Sequence, residues 1–216
     1  MRRILRMTSA GDSGLSLVEL LVTMMLTTLI MSITFTVTMT VQRQTADNQA
    51  RQRSISQAEL AMARIDRQVR SGNVLFNPDA EDVVAGASVC PDPVKNDNSG
   101  SCMRVYTQAN GNQKCVQWQV LGGALRTRAW SPAWRTDGQV TGWATVANSL
   151  ANDPAASPPF RLTGSGAVTA YSARVVDIKL LVRDPKDVGR TTEVQTSLSG
   201  RNTIYGYDQS VCDDLP

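Results

Sequence analysis

The chain contains no histidine. Ser-His-Asp and Cys-His catalytic arrangements both depend on an imidazole, and so do many metal sites, so these classes of site are excluded. The sequence also lacks a glycine-rich phosphate-binding motif. We therefore expect a protein that is not an enzyme and that holds neither a cofactor nor a metal ion.

The first third of the chain lacks proline, and one long stretch of it lacks charge. The first proline is Pro78, and no charged residue occurs from Leu20 to Val41. About 22 residues of helix measure about 33 Å, which is enough to cross the hydrocarbon layer of a bilayer. This stretch is therefore predicted to be a membrane-spanning helix.

The segment before the span differs from an ordinary secretory signal. It carries Arg2, Arg3 and Arg6 but no apolar region of its own, and no cleavage site with small residues follows the span. The arginines favour a cytoplasmic leader, which puts everything after Val41 on the outer side of the membrane. We expect processing at Gly14, upstream of the apolar stretch, so that the anchor stays attached.

Residues 14–20 read Gly-Leu-Ser-Leu-Val-Glu-Leu. With the short basic leader and the long uncharged helix, this heptapeptide resembles the class III signal of type IV pilins and type II secretion pseudopilins. The resemblance implies that a prepilin peptidase cuts between Gly14 and Leu15, and that the new terminal amine of Leu15 is methylated. Phenylalanine is the usual residue in the place of Leu15, and another large apolar residue fits there too.

Glu19 is the only charged residue at the start of the apolar stretch. A carboxylate in an apolar zone is costly unless it is paired or neutralised, so it is a candidate functional group. Its own helix offers no partner. The nearest positive group after cleavage would be the Leu15 amine of a neighbouring subunit, which would fix the register between chains. The alternative is that Glu19 lies at headgroup depth and is solvated.

Beyond the span, apolar residues continue at intervals of three and four, the spacing of one helix face. They are Ile55, Ala58, Met62, Ile65 and Val69. We therefore predict one continuous helix from about Leu15 to Ser71, ended by Gly72. Threonine hydroxyls in the span can bond back to helix carbonyls. Their low helix propensity makes local melting between Thr34 and Thr40 conceivable.

The rest of the chain reads as a β-rich head. Apolar and polar residues alternate from Val116 to Ala129 around Gly122-Gly123, which predicts a two-residue β-hairpin. A second alternation, from Val176 to Leu198, predicts another antiparallel pair. One antiparallel sheet packed on the outer half of the long helix would accommodate both, so the predicted class is α+β.

The predicted organisation has four parts. Residues 1–14 are the leader, 15–41 the transmembrane and filament-core half of the helix, 42–72 its amphipathic half, and 73–216 the globular head. The 22 basic and 19 acidic side chains become nearly balanced once the three leader arginines and Asp12 are removed. A mature net charge of about +1 gives no nucleic-acid signal.

All four cysteines, Cys90, Cys102, Cys115 and Cys212, fall on the predicted outer side. An even number in an exported domain, without a CxxC pair, favours disulfides over a metal site. Pairing Cys90 with Cys102 closes a short polar loop and leaves Cys115 for Cys212, but the other two pairings stay open. Within that loop, residues 95–100 suit a turn better than a calcium site, because Lys95 takes a ligand position and no glutamate follows.

Four tryptophans lie close together in the head sequence: Trp118, Trp130, Trp134 and Trp143. Aromatic residues on strands usually serve packing, although a ligand or partner surface is the other interpretation. The latter would suit a membrane-tethered binding module that never polymerises. Such a module would keep an intact N-terminus.

The predicted function is assembly. The last strand pair closes in Arg201-Asn202, which resembles minor pilins of the W type and pseudopilins of the J type. A minor pilin is therefore expected, with a type II secretion pseudopilin as the alternative. The implied partners are the prepilin peptidase, other pilin or pseudopilin subunits, a membrane assembly platform and, before assembly, lipid. The expected location is the cytoplasmic membrane with the head outside, and then a surface or periplasmic filament.

Overall fold

The computed structural model describes residues 14, 16–81, 90, 97–108, 111–163, 175–187, 189–200 and 209–216. It has an α+β fold, with one long N-terminal helix and antiparallel sheets, which confirms the predicted class. The chain divides into two units, Met1–Ala46 and Asp47–Pro216, and each is described by itself.

The first element is helix α1, Leu17–Arg70, of 54 residues. It matches the predicted helix to within one or two residues at each end. The Thr34–Thr40 stretch is helical, so the melting considered there is absent. Thr34, Thr36 and Thr38 each donate a hydroxyl hydrogen bond to a carbonyl four residues earlier at 2.8–3.0 Å, so these polar groups are satisfied within the helix.

The second half of α1 carries the core-facing stripe. The predicted residues Ala58, Met62, Ile65 and Val69 are buried, together with Ala61, and Ile55 packs against them. Burial of a stripe with this spacing supplies most of the stabilisation of such a helix, because propensity alone contributes little. The stripe packs against residues from both sheets of the head.

The larger sheet has five strands. They are β1 Gly72–Leu75, β3 Cys102–Thr107, β4 Lys114–Leu121, β5 Ala124–Trp130 and β6 Ala144–Ala147. Their order in the sheet is β1-β3-β4-β5-β6. One face packs on α1, where the indole Nε1 of Trp118 donates to Gln68 Oε1 at 2.6 Å. The short helix α2, Trp134–Asp137, follows β5.

A second sheet has four strands. It comprises β2 Ser99–Gly100, β7 Phe160–Thr163, β8 Val175–Arg183 and β9 Thr191–Ser199, in the order β2-β7-β8-β9. The expectation of a single sheet is therefore wrong. The chain passes from one sheet to the other at Ser101, between β2 and β3. Alternation of apolar and polar residues identifies strands, but it does not show with which other strands each of them pairs, or in which sheet it lies.

Both predicted hairpins are confirmed. β4 pairs with β5 from Cys115↔Trp130 to Leu121↔Ala124, and β8 pairs with β9 over their whole length. The turn between β4 and β5 consists of Gly122 and Gly123, with φ of 58° and 76°. Positive φ at both central residues is the mark of a turn that matches the right-handed twist of the strands.

The two turn glycines should differ in their tolerance of substitution. A Cβ at Gly123 would lie 3.1 Å from the carbonyl oxygen of Leu150, whereas one at Gly122 would meet nothing within 4 Å. We expect Gly123→Ala to lower the free energy of unfolding by about 1–2 kcal/mol, and Gly122→Asn by less than about 0.5 kcal/mol. Denaturant unfolding of the full chain in detergent, followed by tryptophan fluorescence, measures both. Equal losses in the free energy of unfolding for the two variants would contradict the close approach of Gly123 to the Leu150 carbonyl.

Candidate assembly site

Helix α1 begins within the heptapeptide. The backbone N–H of Leu20 donates to the carbonyl of Ser16 at 3.1 Å, so Ser16 precedes the first helical residue, Leu17. Serine is favoured just before a helix, and glutamate at the third helical position completes the pattern of a capping box. Glu19 therefore also suits the start of the helix, beside any role that it has in assembly.

The Glu19 side chain is exposed, and within the described residues it forms no ion pair or side-chain hydrogen bond. Its neighbours Leu17, Val18 and Leu20 are 80%, 68% and 47% exposed. The carboxylate thus stands among apolar side chains without a partner from its own described chain. A negative charge here also interacts favourably with the positive end of the helix dipole.

Gly14 is exposed, and a Cβ built on it would meet no atom within 4 Å. Leu15, the predicted methylation site, lies outside the described residues. So does nearly all of the leader. Cleavage after Gly14 and methylation of Leu15 therefore stay predictions.

The apolar stretch that follows Glu19 is exposed along its whole length within the described part of the chain. Its most apolar window has a mean hydropathy of 2.0, and none of it is buried. Of the described residues, this is the one helix long and apolar enough to cross a membrane. Its length and composition are compatible with a single span.

The head contains a buried polar network that connects segments far apart in sequence. The guanidinium Nε of Arg104 donates to Glu81 Oε1 at 3.0 Å, and Gln117 Nε2 donates to Glu81 Oε2, also at 3.0 Å. Arg128 Nε donates to Gln117 Oε1 at 2.9 Å. All four residues are buried. Burial raises the pKa of Glu81, and the charge of Arg104 counteracts part of that shift.

Residues 209–216, called here the strap, lie against this network. Arg104 Nη1 donates to the carbonyl of Cys212, and Arg128 Nη1 donates to that of Pro216 at 2.8 Å. On the surface, Arg135 forms a two-point ion pair with Asp214, which lowers the pKa of that carboxyl. The strap therefore shields the charged cluster from water.

Two disulfides join the head, and their pairing is the one favoured by the sequence. Cys90 is bonded to Cys102, and Cys115 to Cys212. The second bond ties the strap to β4. It sits in an apolar cluster with Val74, Phe76, Tyr106 and Trp130.

The sequence does not reveal the network, because the strand residues that form it occupy the polar positions of an alternating apolar and polar pattern. In β4, Gln117 and Gln119 alternate with apolar residues, a pattern typical of a strand with one solvated face, yet they are 1% and 0% exposed. No local signal pairs Glu81 with Arg104, since 23 residues separate them. Glu81 and Cys90 contact Gln117, and the strap contacts Arg104 and Arg128, so this face is interior.

The tryptophans divide between two environments. Trp118 and Trp130 are buried, which agrees with packing. Trp134 and Trp143 are partly exposed, and arginine guanidinium groups lie over them, Arg135 at 4.8 Å from Trp134 and Arg128 at 4.8 Å from Trp143. These arginines occupy ring faces that a ligand would otherwise use.

The loop considered for calcium is only partly described, since residues 95 and 96 lie outside. Asp97 accepts from the backbone N–H of Ser99 at 3.1 Å and from Arg161 at 3.3 Å, as in a turn. Among the described residues, no group of three or more acidic or cysteine side chains could hold a metal ion. Arg201 and Asn202 also lie outside the described residues, and β9 ends at Ser199.

No family model, no curated protein and no solved structure matches the chain.

Proposed function

We propose that the chain is a subunit of a type IV pilus-like filament, of the minor pilin kind. The observation that carries the proposal is the arrangement at the N-terminus. A prepilin-like heptapeptide, residues 14–20, leads directly into an apolar stretch of α1 that is exposed within the described part of the chain, and the carboxylate at its start, Glu19, has no partner among the described residues. The subunit is thus the substrate of a prepilin peptidase rather than an enzyme.

Assembly gives the uncovered helix surface a partner. In the membrane, lipid covers residues 20–41, and in the filament the helices of other subunits replace the lipid. Because lipid is as apolar as leucine, packing and polar contacts rather than escape from water favour association. The Leu15 amine of a neighbour, set free by cleavage, would neutralise Glu19. The subunit passes from the cytoplasmic membrane, with its head outside, into a surface filament.

The disulfides of the head suit an oxidising compartment outside the cytoplasm. Two disulfides staple the head, and an oxidising compartment is where such bonds persist. A pseudopilin of a secretion system would share all of these features. Deletion of the gene separates the two: loss of surface fibres or DNA uptake indicates a pilus, and loss of exported enzymes alone indicates a secretion pseudopilus.

Glu19→Gln tests the proposal. The variant should still be cleaved after Gly14, but its abundance in sheared filaments should fall about tenfold or more, since losing a charge-paired contact in apolar surroundings costs about 1.4 kcal/mol or more. Quantitative immunoblotting of the filament and membrane fractions gives both numbers. Thr23→Val, a change of similar size one turn further along α1, is the matched control and should assemble normally.

Normal incorporation of the Glu19→Gln variant would contradict the proposal. That result would instead favour a membrane-tethered module, in which Glu19 is freely replaceable.

A further inference from the structure

Strand β9 has a long free edge. It is the last strand of its sheet among the described residues, and it pairs with β8 from Thr191 to Ser199 without a register shift. It contains no proline and no lysine, and its one charged residue, Glu193, is paired with Lys179 at 2.7 Å. Sheets usually protect a long edge with prolines, lysines or bulges, because an open edge can pair with another strand. β9 lacks these forms of protection.

The register shows which backbone groups lie at this edge. The N–H of Lys179 donates to the carbonyl of Pro159 at 2.9 Å, so the odd-numbered residues of β8 are turned away from β9. The even-numbered residues of β8 therefore bond to the even-numbered residues of β9. The backbone N–H and C=O groups of Gln195 and Ser197 then point outward from the edge, and within the part of the chain that the structure describes they have no partner.

A groove of about 440 Å³ lies between this edge and α1. Residues 194–198 form one wall. The other wall consists of Glu59, Met62, Ala63, Asp66 and Arg70. Over those residues α1 rises about 17 Å, and five residues of an extended strand also cover about 17 Å. The groove is therefore long enough for one added strand of about five residues.

Most of the charge on the helix wall is already paired. Asp66 and Arg70 form an ion pair at 2.7 Å, so together they contribute no net charge. Glu59 is exposed, and it forms no ion pair with any described residue. The free charge of the groove is thus one carboxylate, beside an apolar surface supplied by Met62 and Ala63.

We propose that the edge of β9 receives an extended segment of a different filament protein, which adds to the sheet as a further strand. The segment pairs through its backbone with Gln195 and Ser197. On the side that faces α1, a lysine or arginine pairs with Glu59, and an apolar residue two positions away packs on Ala63. The spacing fits, because four helical residues rise about 6 Å and two strand residues about 6.6 Å. The inference rests on the proposed function, for which it identifies a contact of the head.

Two observations favour a different protein over a second copy of this chain. The edge strands of the two described sheets are β1, β2, β6 and β9, and none of them contains a lysine or an arginine. An edge strand of a second copy therefore cannot supply the cation that Glu59 needs. A minor subunit also has neighbours that are mainly of another kind, so its contacts in the filament are with other proteins.

Gln195→Pro tests the edge directly. The N–H of Gln195 points outward, so proline there removes no bond to β8, and edge strands are where proline is tolerated. The lost donor and the added ring should lower incorporation into sheared filaments about fivefold or more. Gln195→Thr loses the same side-chain amide but keeps the N–H, so this matched control should assemble within about twofold of the wild type. A folded proline variant that assembles normally would overturn the inference.

Glu59→Lys tests the charge and decides the matter if the proline variant does not fold, which denaturant unfolding followed by tryptophan fluorescence shows. The reversal should lower incorporation about threefold or more, because it sets a cation against the cation of the occupant. Gln57→Lys adds a positive charge on the side of α1 away from the groove, so this control should have no effect. Equal incorporation of the two lysine variants would rule out the proposed charge pair.

Photocrosslinking in whole cells identifies the occupant. A photoreactive amino acid at position 63 should form an adduct with a filament protein other than this chain, mapped by mass spectrometry to a segment with a lysine or arginine two positions from an apolar residue. The adduct should be lost in the Gln195→Pro variant and kept in the Gln195→Thr variant. An adduct with a second copy, an adduct that survives the proline, or no adduct overturns the inference. If Glu19→Gln blocks assembly while these results are negative, the proposed function stands and only the edge contact fails.

Discussion

Replacing Arg104 by methionine will lower the free energy of unfolding of the head by about 3–5 kcal/mol, because it removes the guanidinium group that is hydrogen-bonded to a buried carboxylate. The carboxylate of Glu81 is 0% exposed and accepts from Arg104 and from Gln117. The same substitution removes the bond from Arg104 to the carbonyl of Cys212, so the strap also loses an anchor. Guanidinium chloride unfolding of the full chain in detergent measures the loss, with the buried tryptophans as reporters.

The loss in the Arg104→Met variant should depend on pH. Burial raises the pKa of Glu81, and removing Arg104 removes the charge that opposes the shift. A carboxyl with a raised pKa in the folded state binds a proton more tightly than in the unfolded chain. The variant should therefore be most stable below the ordinary glutamate pKa and lose stability as pH rises from there through the raised pKa.

A second substitution separates the buried charge from the lost packing. Glu81→Gln in the Arg104→Met background keeps an acceptor for Gln117 but removes the negative charge. We expect it to recover about 1–2 kcal/mol and to abolish this pH dependence, because the buried ionisable group is then gone. A cost below about 1 kcal/mol for Arg104→Met alone would show that water reaches Glu81.

Removal of the Cys115–Cys212 disulfide is the other change with a large expected effect. The bonded cysteines are 97 residues apart, against 12 for Cys90 and Cys102. The chain-entropy model assigns about 4–5 kcal/mol to the longer loop and about 3 kcal/mol to the shorter one. The double variant Cys115→Ala/Cys212→Ala should thus be the more destabilised of the two disulfide variants.

The matched comparison is Cys90→Ala/Cys102→Ala, measured under the same oxidising conditions. Loss of the longer bond should also loosen the strap, because the remaining contacts are all non-covalent: hydrogen bonds, the ion pairs Arg104–Asp213 and Arg135–Asp214, and the apolar packing of Val211 and Leu215. Limited proteolysis should then remove residues near position 212 several times faster than in the wild type. A reversed order of stability would contradict the role given to the strap.

The long helix and the two hairpins could be predicted because their signals are local. Spacing of three and four from Ile55 to Val69 fixes a helix face, and alternation around Gly122-Gly123 fixes a hairpin. The division into two sheets could not be predicted, because a strand as short as β2 leaves no periodic signal. The choice of ladder depends on contacts such as Ser99↔Arg161, which are distant in sequence.

The candidate site shows the same limit. The heptapeptide and Glu19 are visible in the sequence, since they are consecutive residues at the start of one helix. The groove between α1 and β9 is not, because it joins α1 to a strand more than 120 residues away. Likewise, the polar positions of β4 are typical of a solvated surface, and it is contacts with Glu81 and Cys90, both distant in sequence, that make Gln117 an interior residue.

Mass measurement of the first peptide of the mature protein, purified from membranes and from sheared filaments, tests processing and assembly most directly. The expected peptide begins at Leu15 with a methylated amine, and the leader arginines are absent. Retention of Met1 would contradict the assembly function and favour the tethered module. Cleavage beyond Val41 would contradict it as well, because the helix that is proposed to form the filament core would be lost.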